Sequence, residues 1–271
     1  MPGPELKQSL RRLMYGAARL CSIPQAGARI LTYHSVGTRS HEMNVSVDAF
    51  RTQMAWLREH ARLVSLVESV NAGDGVSITF DDGYADNLLN AAPILTAFGI
   101  PATVFVVAGA LGGYLPHDGA SDDARILTRD ELKRLYASGI GIGSHTMHHA
   151  RLSSIPESEQ REELSRSKTV LEEIIEAPVD TLAYPYGALL DYTSASMLLA
   201  RECGYGLACS NRFGAHTANA DRWAIRRVCI HANDDLSTFI AKVTGKLDAL
   251  RWLESRGVAA SKRAINRLLR V

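Results

Sequence analysis

Short apolar runs alternate along this chain with longer stretches in which apolar residues recur every three or four positions. Runs of the first kind predict β-strands over 29–34, 62–66, 76–80, 102–107, 140–143, 181–184, 205–210 and 224–228. Between them lie helical patterns. Ser46 is placed to cap a helix that carries Phe50, Met54 and Leu57 on one face. Thr128 and Glu131 form a capping box ahead of Leu132 and Leu135, with Gly139 as the stop. Leu164, Leu171, Ile174 and Ile175 mark another amphipathic helix. Regular alternation of strand and helix predicts a parallel sheet with crossover helices. With seven or eight such units in one domain, a closed or nearly closed β/α barrel is favoured over an open sheet. The predicted barrel covers 29–235, between an N-terminal helical extension, 1–28, and a C-terminal basic helical extension, 236–271. The stretch 109–126 is rich in Gly and Asp and lacks periodicity, which suits either a substrate-shaping loop or a surface insertion.

Composition narrows the class. Hydrophobic residues make up 46% of the 271 positions and charged residues 22%, as in a soluble domain with its own core. The formal net charge of +1 gives no ground for a nucleic-acid partner. Cys21, Cys203, Cys209 and Cys229 form no C-x-x-C pair and read as small hydrophobes in a reducing compartment. Near the N-terminus Arg19 interrupts the one apolar candidate, and no segment reaches the roughly 18 apolar residues of a membrane span. The expected location is therefore the cytoplasm. From Leu250 onward six basic residues (Arg251, Arg256, Lys262, Arg263, Arg267, Arg270) stand against Glu254, with Ile265, Leu268 and Leu269 on one helical face. Such a helix either packs on the barrel or rests peripherally on an anionic membrane.

Three segments carry chemistry. The apolar run 76–80 leads straight into Asp81, Asp82, Gly83 and Tyr84. In a parallel β/α domain strand ends face the active site, so both carboxylates would stand at its mouth, one on a cation and one free as a base. Taken alone, such a stretch also suits an ordinary turn. In the second segment His145 and His149 are four apart, so on one helical turn they would share a face and grip one cation. The third, Tyr184-Pro185-Tyr186-Gly187, ends another strand; proline fixes the backbone, and the following amide could meet a substrate oxyanion.

Together these segments resemble the polysaccharide deacetylases (NodB homology, carbohydrate esterase family 4). T-F-D-D-G stands complete at 79–83, H-T-x-x-H at 145–149, and the third motif is partly kept as Ala-Tyr-Pro-Tyr-Gly at 183–187. The resemblance implies a distorted β/α barrel and metal-dependent removal of the N-acetyl group from an amino sugar in a glycan, glycolipid precursor or small saccharide. It implies that Asp81 is the general base, that Asp82, His145 and His149 hold one divalent metal ion, and that the Tyr186 amide is an oxyanion donor. Tyr84, Pro185 and Tyr186 are then substrate contacts. Zn²⁺ is the default ion, and the ligand set also suits Fe²⁺ or Co²⁺. Two departures stand out. Ala183 replaces the arginine that orients the base in the family, and the late histidine that protonates the leaving amine has no clear match. His231 lies near that region, but Arg227 breaks the apolar alternation before it, while Asp221 and Trp223 echo the fourth motif. His34, ending the first strand in a Tyr-His-Ser segment, is the other candidate acid, and His148 a more distant one. Ala183 leaves open a carbohydrate-binding domain of the same fold without turnover, and the barrel alone leaves open a non-sugar amide.

Overall fold

The computed structural model describes residues 4–116, 118 and 120–254. Its strands are β1 (Arg29–Tyr33), β2 (Ser35–Val36), β3 (Asn44–Val45), β4 (Val76–Phe80), β5 (Ala102–Val106), β6 (Gly141–Ser144), β7 (Thr181–Ala183), β8 (Leu207–Phe213) and β9 (Ile225–Cys229). The α-helices are α1 (Pro4–Cys21), α2 (Val47–His60), α3 (Leu66–Ala72), α4 (Ala92–Phe98), α5 (Arg129–Ala137), α6 (Glu157–Ile175), α7 (Ser194–Glu202) and α8 (Leu236–Val243). Seven strands pair in parallel in the order β1-β4-β5-β6-β7-β8-β9, and β9 returns to β1 to close the barrel. This is the expected fold, with one strand fewer than the usual eight.

Alternation along each strand divides the interior from the helix layer. Ile30, Phe105, Ala183, Cys209 and Ile225 point inward and form one buried cluster. Leu31, Ile78, Phe80, Val104 and Val228 point outward against the Phe50, Met54 and Leu57 face of α2 and the other helices. The narrow bore depends on Gly143. A Cβ there would lie 2.4 Å from the Phe105 ring, so glycine lets that ring fill the barrel.

The predicted caps form as read. Ser46 accepts from the Ala49 amide, and the Thr128–Glu131 box closes in both directions. The strand expected at 62–66 is a correction. Leu63 makes one isolated bridge to Val76, and Ser65 instead caps α3 through the Glu68 amide. A short apolar run cannot by itself distinguish a strand from the entry to a buried helix. The described residues of the stretch 109–126 are tied down: Leu115 and Ile126 are buried with Tyr84 and Val107, and the Asp118 carboxylate accepts from Tyr84 Oη and Arg39. They therefore pack across the strand ends and are not a loose insertion.

At the C-terminal side α8 buries Phe239 in the main core, edge-on to Trp56 at 6.1 Å, so this part of 236–271 is continuous with the barrel. The basic and apolar tail residues Arg256, Lys262, Arg263, Ile265, Arg267, Leu268, Leu269 and Arg270 lie outside the described residues. Among the described residues no helix is long and apolar enough to cross a membrane.

Candidate metal centre and catalytic cleft

The C-terminal strand ends open into a cleft lined by His34, Asp81, Asp82, Tyr84, His145, His149 and Tyr186, together with His41, Met43 and Asn211. Asp81 follows β4, its amide donating to the Tyr33 carbonyl at 3.0 Å. It continues the inward parity of Ser77 and Thr79, so its carboxylate points to the barrel axis. There Arg227 meets it from β9. Nη1 donates to Oδ1 and Nη2 to Oδ2, both at 2.7 Å. The remaining guanidinium donors reach Ser210 O at 2.9 Å, Asn211 Oδ1 at 2.8 Å and Thr79 Oγ1 at 3.3 Å. The fork geometry of a bidentate arginine fixes both position and plane of the carboxylate. Burial works against the charge on Asp81, but Arg227, with His145 nearby, outweighs it and holds the carboxyl well below the ordinary carboxylate range.

In the sequence Arg227 stands out only as a break in the apolar alternation. That break was the available signal. Position 227 has the inward parity of Ile225, and a charged residue facing inward near a strand's C-terminal end faces the site.

Asp82 takes the left-handed conformation, φ 73°, which turns its side chain away from that of Asp81. Such a conformation is costly for a non-glycine residue, about 1–3 kcal/mol, and persists where surrounding structure enforces it. Asp82 Oδ1 lies 3.6 Å from His145 Nε2 and 3.4 Å from His149 Nε2. The two histidines do not share a helical turn, which corrects the expectation. Their segment leaves β6 as irregular backbone with Thr146 at φ 65° and His149 at φ 57°, and those turns swing the second imidazole back toward the first. The ring centroids end 5.0 Å apart.

These residues fit a divalent cation. Ligands bonded at about 2.0–2.2 Å in a tetrahedral site sit roughly 3.3–3.6 Å from one another, the spacing seen here and too long for direct hydrogen bonds. Asp82 Oδ1 is buried without a hydrogen-bond partner among the described residues. His145 Nδ1 lies 2.7 Å from the Ala183 carbonyl; the carbonyl can only accept, so the proton sits on Nδ1 and Nε2 presents its lone pair to the cluster. Burial, then the charges of Asp81 and Asp118, push the Asp82 carboxyl well above the ordinary range, so its ionised form requires a positive partner.

The other candidates divide. His34 lines the cleft, and burial lowers its pKa to about 4. Tyr186 is at φ 63°, its ring 4.9 Å from that of His149 and covered by the Arg151 guanidinium at 4.1 Å. Tyr84 lines the cleft with its hydroxyl on Asp118. Pro185 is buried and does not line the cleft; it shapes the turn that presents Tyr186. His231 does not line the cleft either. Its Nδ1 faces Lys242 Nζ at 3.1 Å and its amide donates to Asp234, because the chain turns into α8 immediately after β9. His148 points outward, 2.6 Å from Glu163.

A closed parallel barrel whose strand ends gather a carboxylate, two imidazoles and a separately clamped second carboxylate defines a metal-dependent hydrolase. Residues 69–208 match the polysaccharide deacetylase family, and the chain belongs to it. It is thereby an enzyme that hydrolyses the amide bond of acetylated amino sugars. Among curated proteins it is 27% identical over 223 residues to YxkH of Bacillus subtilis (strain 168), which carries a polysaccharide-deacetylase name, covering 79% of this chain and 75% of that one. It is 28% identical over 216 residues to the poly-beta-1,6-N-acetyl-D-glucosamine N-deacetylase of Staphylococcus aureus (strain MRSA252), covering 73% and 71%. Its fold matches IcaB from Ammonifex degensii with a TM-score of 0.70 at 24% identity, over 83% of this chain and 98% of that one.

Proposed function

We propose that this enzyme removes acetyl groups from N-acetylhexosamine units of an oligo- or polysaccharide, with Asp81 as base and Asp82, His145 and His149 as the metal ligands. The observation that carries the reading is the contrast between two adjacent aspartates: one clamped by Arg227, the other with a buried Oδ1 that has no hydrogen-bond partner among the described residues and lies 3.4–3.6 Å from two imidazoles. The names of the S. aureus relative and its like support a β-linked N-acetylglucosamine chain as the substrate class. A cation on the three ligands, with Zn²⁺ as the first choice, would polarise the acetyl carbonyl and acidify water.

The chain's own residues do the rest. Asp81 takes the proton of the attacking water; its clamped carboxylate has the right plane for this and is ionised at neutral pH. The Tyr186 amide receives the developing oxyanion, and the Tyr186 ring forms one wall for the sugar. Since Arg227 keeps Asp81 a weak proton holder, the proton passes on to the leaving nitrogen, and His34 is the relay. With its pKa lowered to about 4 by burial, His34 releases a proton readily once it has received one. Ala183 pointed toward a domain without turnover; Arg227 supplies an orienting arginine from another strand and removes that ground.

The test is acetate release by the Zn²⁺-loaded enzyme from oligomers of β-1,6- and β-1,4-linked N-acetylglucosamine and from the monomer. Release from an oligomer, abolished in Asp81→Asn, is expected. A fully metallated enzyme that frees no acetate from any of them would overturn the reading.

A further inference from the structure

We infer that a polar cavity beside the cleft holds a second, neutral sugar unit of the chain being deacetylated. This rests on the cleft being a site for sugar chains, and it adds what the enzyme recognises next to the reacting unit. Cavity and cleft share a wall. The loop 37–44 gives Gly37, Thr38, Arg39 and Asn44 to the cavity, and His41 and Met43 to the cleft. After β4, Tyr84 lines the cleft, while Ala85 and Asp86, next in sequence, line the cavity. Arg39 Cζ lies over the Tyr84 ring, 5.5 Å from its centroid, so the two segments meet in the partition. A sugar chain laid across that partition reaches both hollows. At about 160 Å³ the cavity is smaller than the roughly 300–1,000 Å³ of sites for drug-sized ligands, which suits a single ring.

The lining selects the ligand. Gly37 leaves open a point on which three polar atoms converge. A Cβ there would stand 3.6 Å from Asn44 Oδ1 and 3.7 Å from both Asn90 Nδ2 and Asp86 Oδ2. Asn90 Nδ2 gives one of its two hydrogens to the Val36 carbonyl at 2.7 Å, and Asn44 Oδ1 accepts from Ser35 Oγ at 2.7 Å. A hydroxyl, at once donor and acceptor, can use the hydrogen and the lone pair that these bonds leave. Neither ionic class fits. An anion would meet Asp86 and Asp123, and a cation would meet Arg39 and Arg125. Both guanidiniums already donate to carboxylates, Arg39 to Asp118 and Arg125 to Glu131 at 2.6 and 2.9 Å. Asp86 accepts from Ser35 and Asn87, and burial raises its pKa to about 6, which weakens its pull on a cation. Leu89, 59% exposed, adds an apolar contact for the C–H groups of a ring. Leu89 and Asn90 belong to a π-helical turn, Asn87–Ala91, closed by the Ala92 amide donating to the Asn87 carbonyl. Turns of this kind are rare and occur frequently at functional sites.

The test compares N-acetylglucosamine tetramers, β-1,6- and β-1,4-linked, with the monomer. In titration calorimetry, Zn²⁺-loaded Asp81→Asn should bind one of the tetramers about ten-fold or more tightly than the monomer. Adding Gly37→Ala should bring that ratio close to one with an unchanged circular dichroism spectrum. The new methyl group would occupy the convergence point at ordinary van der Waals distances, and Gly37 is not among the glycines with positive φ, so the fold accepts it. Tetramers bound no more tightly than the monomer would overturn the inference. So would a tetramer advantage that Gly37→Ala leaves unchanged. Binding to Asp81→Asn needs no turnover, so failure of this site and failure of the acetate assay are read separately.

Discussion

Asp81 and Asp82 share a peptide bond and little else. Arg227 fixes the first, and the left-handed turn at φ 73° delivers the second to the imidazoles. Their replacements should therefore fail differently. Asp81→Asn is expected to lose about a hundred-fold or more in kcat with metal content by elemental analysis unchanged. Asp82→Asn should lose the metal itself. Arg227→Met leaves a buried carboxylate without its partner, so a loss of about 3–5 kcal/mol is expected in urea unfolding, with turnover falling as well. Combining Arg227→Met with Asp81→Asn should restore much of the stability and none of the activity. This separates orientation of the base from general support of the barrel. Stability that stays low in the double variant would show that the other guanidinium bonds, to Ser210, Asn211 and Thr79, matter more than the ion pair.

Among the elements, the link from β9 to α8 depends on Asp234. Its carboxylate accepts from the His231 amide at 2.8 Å and pairs with buried Lys242, which also donates to the Cys229 carbonyl at 2.7 Å. Burial opposes the charge of Asp234, but His231 and Lys242 outweigh it and lower the pKa to about 2 from an ordinary 3.8. A carboxyl depressed on folding contributes stability that is present above its unfolded value and lost as pH falls through the folded one. Asp234→Asn should thus be less stable than the parent at neutral pH, with the gap in urea midpoint closing between about pH 4 and pH 2. A gap that persists unchanged at pH 2 would contradict the ion pair's role. At α5, Thr128→Ala removes half of the capping box and should lower stability by about 1 kcal/mol in the same assay. These helices were legible because caps and the 3.6-residue period are local signals. The two-residue strands β2 and β3 were not, since a pair that short has no period to detect.

For the whole molecule, the core is continuous from β1 to α8 and does not need the ion to exist. Removing the metal with a chelator should abolish acetate release while leaving the circular dichroism spectrum largely intact, with a modest fall in Tm that added Zn²⁺ reverses. Collapse of the fold on chelation would mean that the cation is structural. The sequence alone determined the alternating elements, the barrel and the placement of Asp81, Asp82, His145 and His149 at strand ends, because periodicity and the position of a motif after a strand are local properties. Only the tertiary structure decided three matters: that irregular left-handed backbone, not a helical turn, brings His149 to the cluster; that His34 enters the cleft while His231 turns away to Lys242; and that Arg227 stands in for the arginine missing at Ala183. The last pairing spans 146 positions, from β9 to the end of β4. It exists because β1 pairs with both β4 and β9 in the closed barrel, which directs the inward positions of those two strands at one axis, a constraint of the closed sheet that no local stretch of sequence contains.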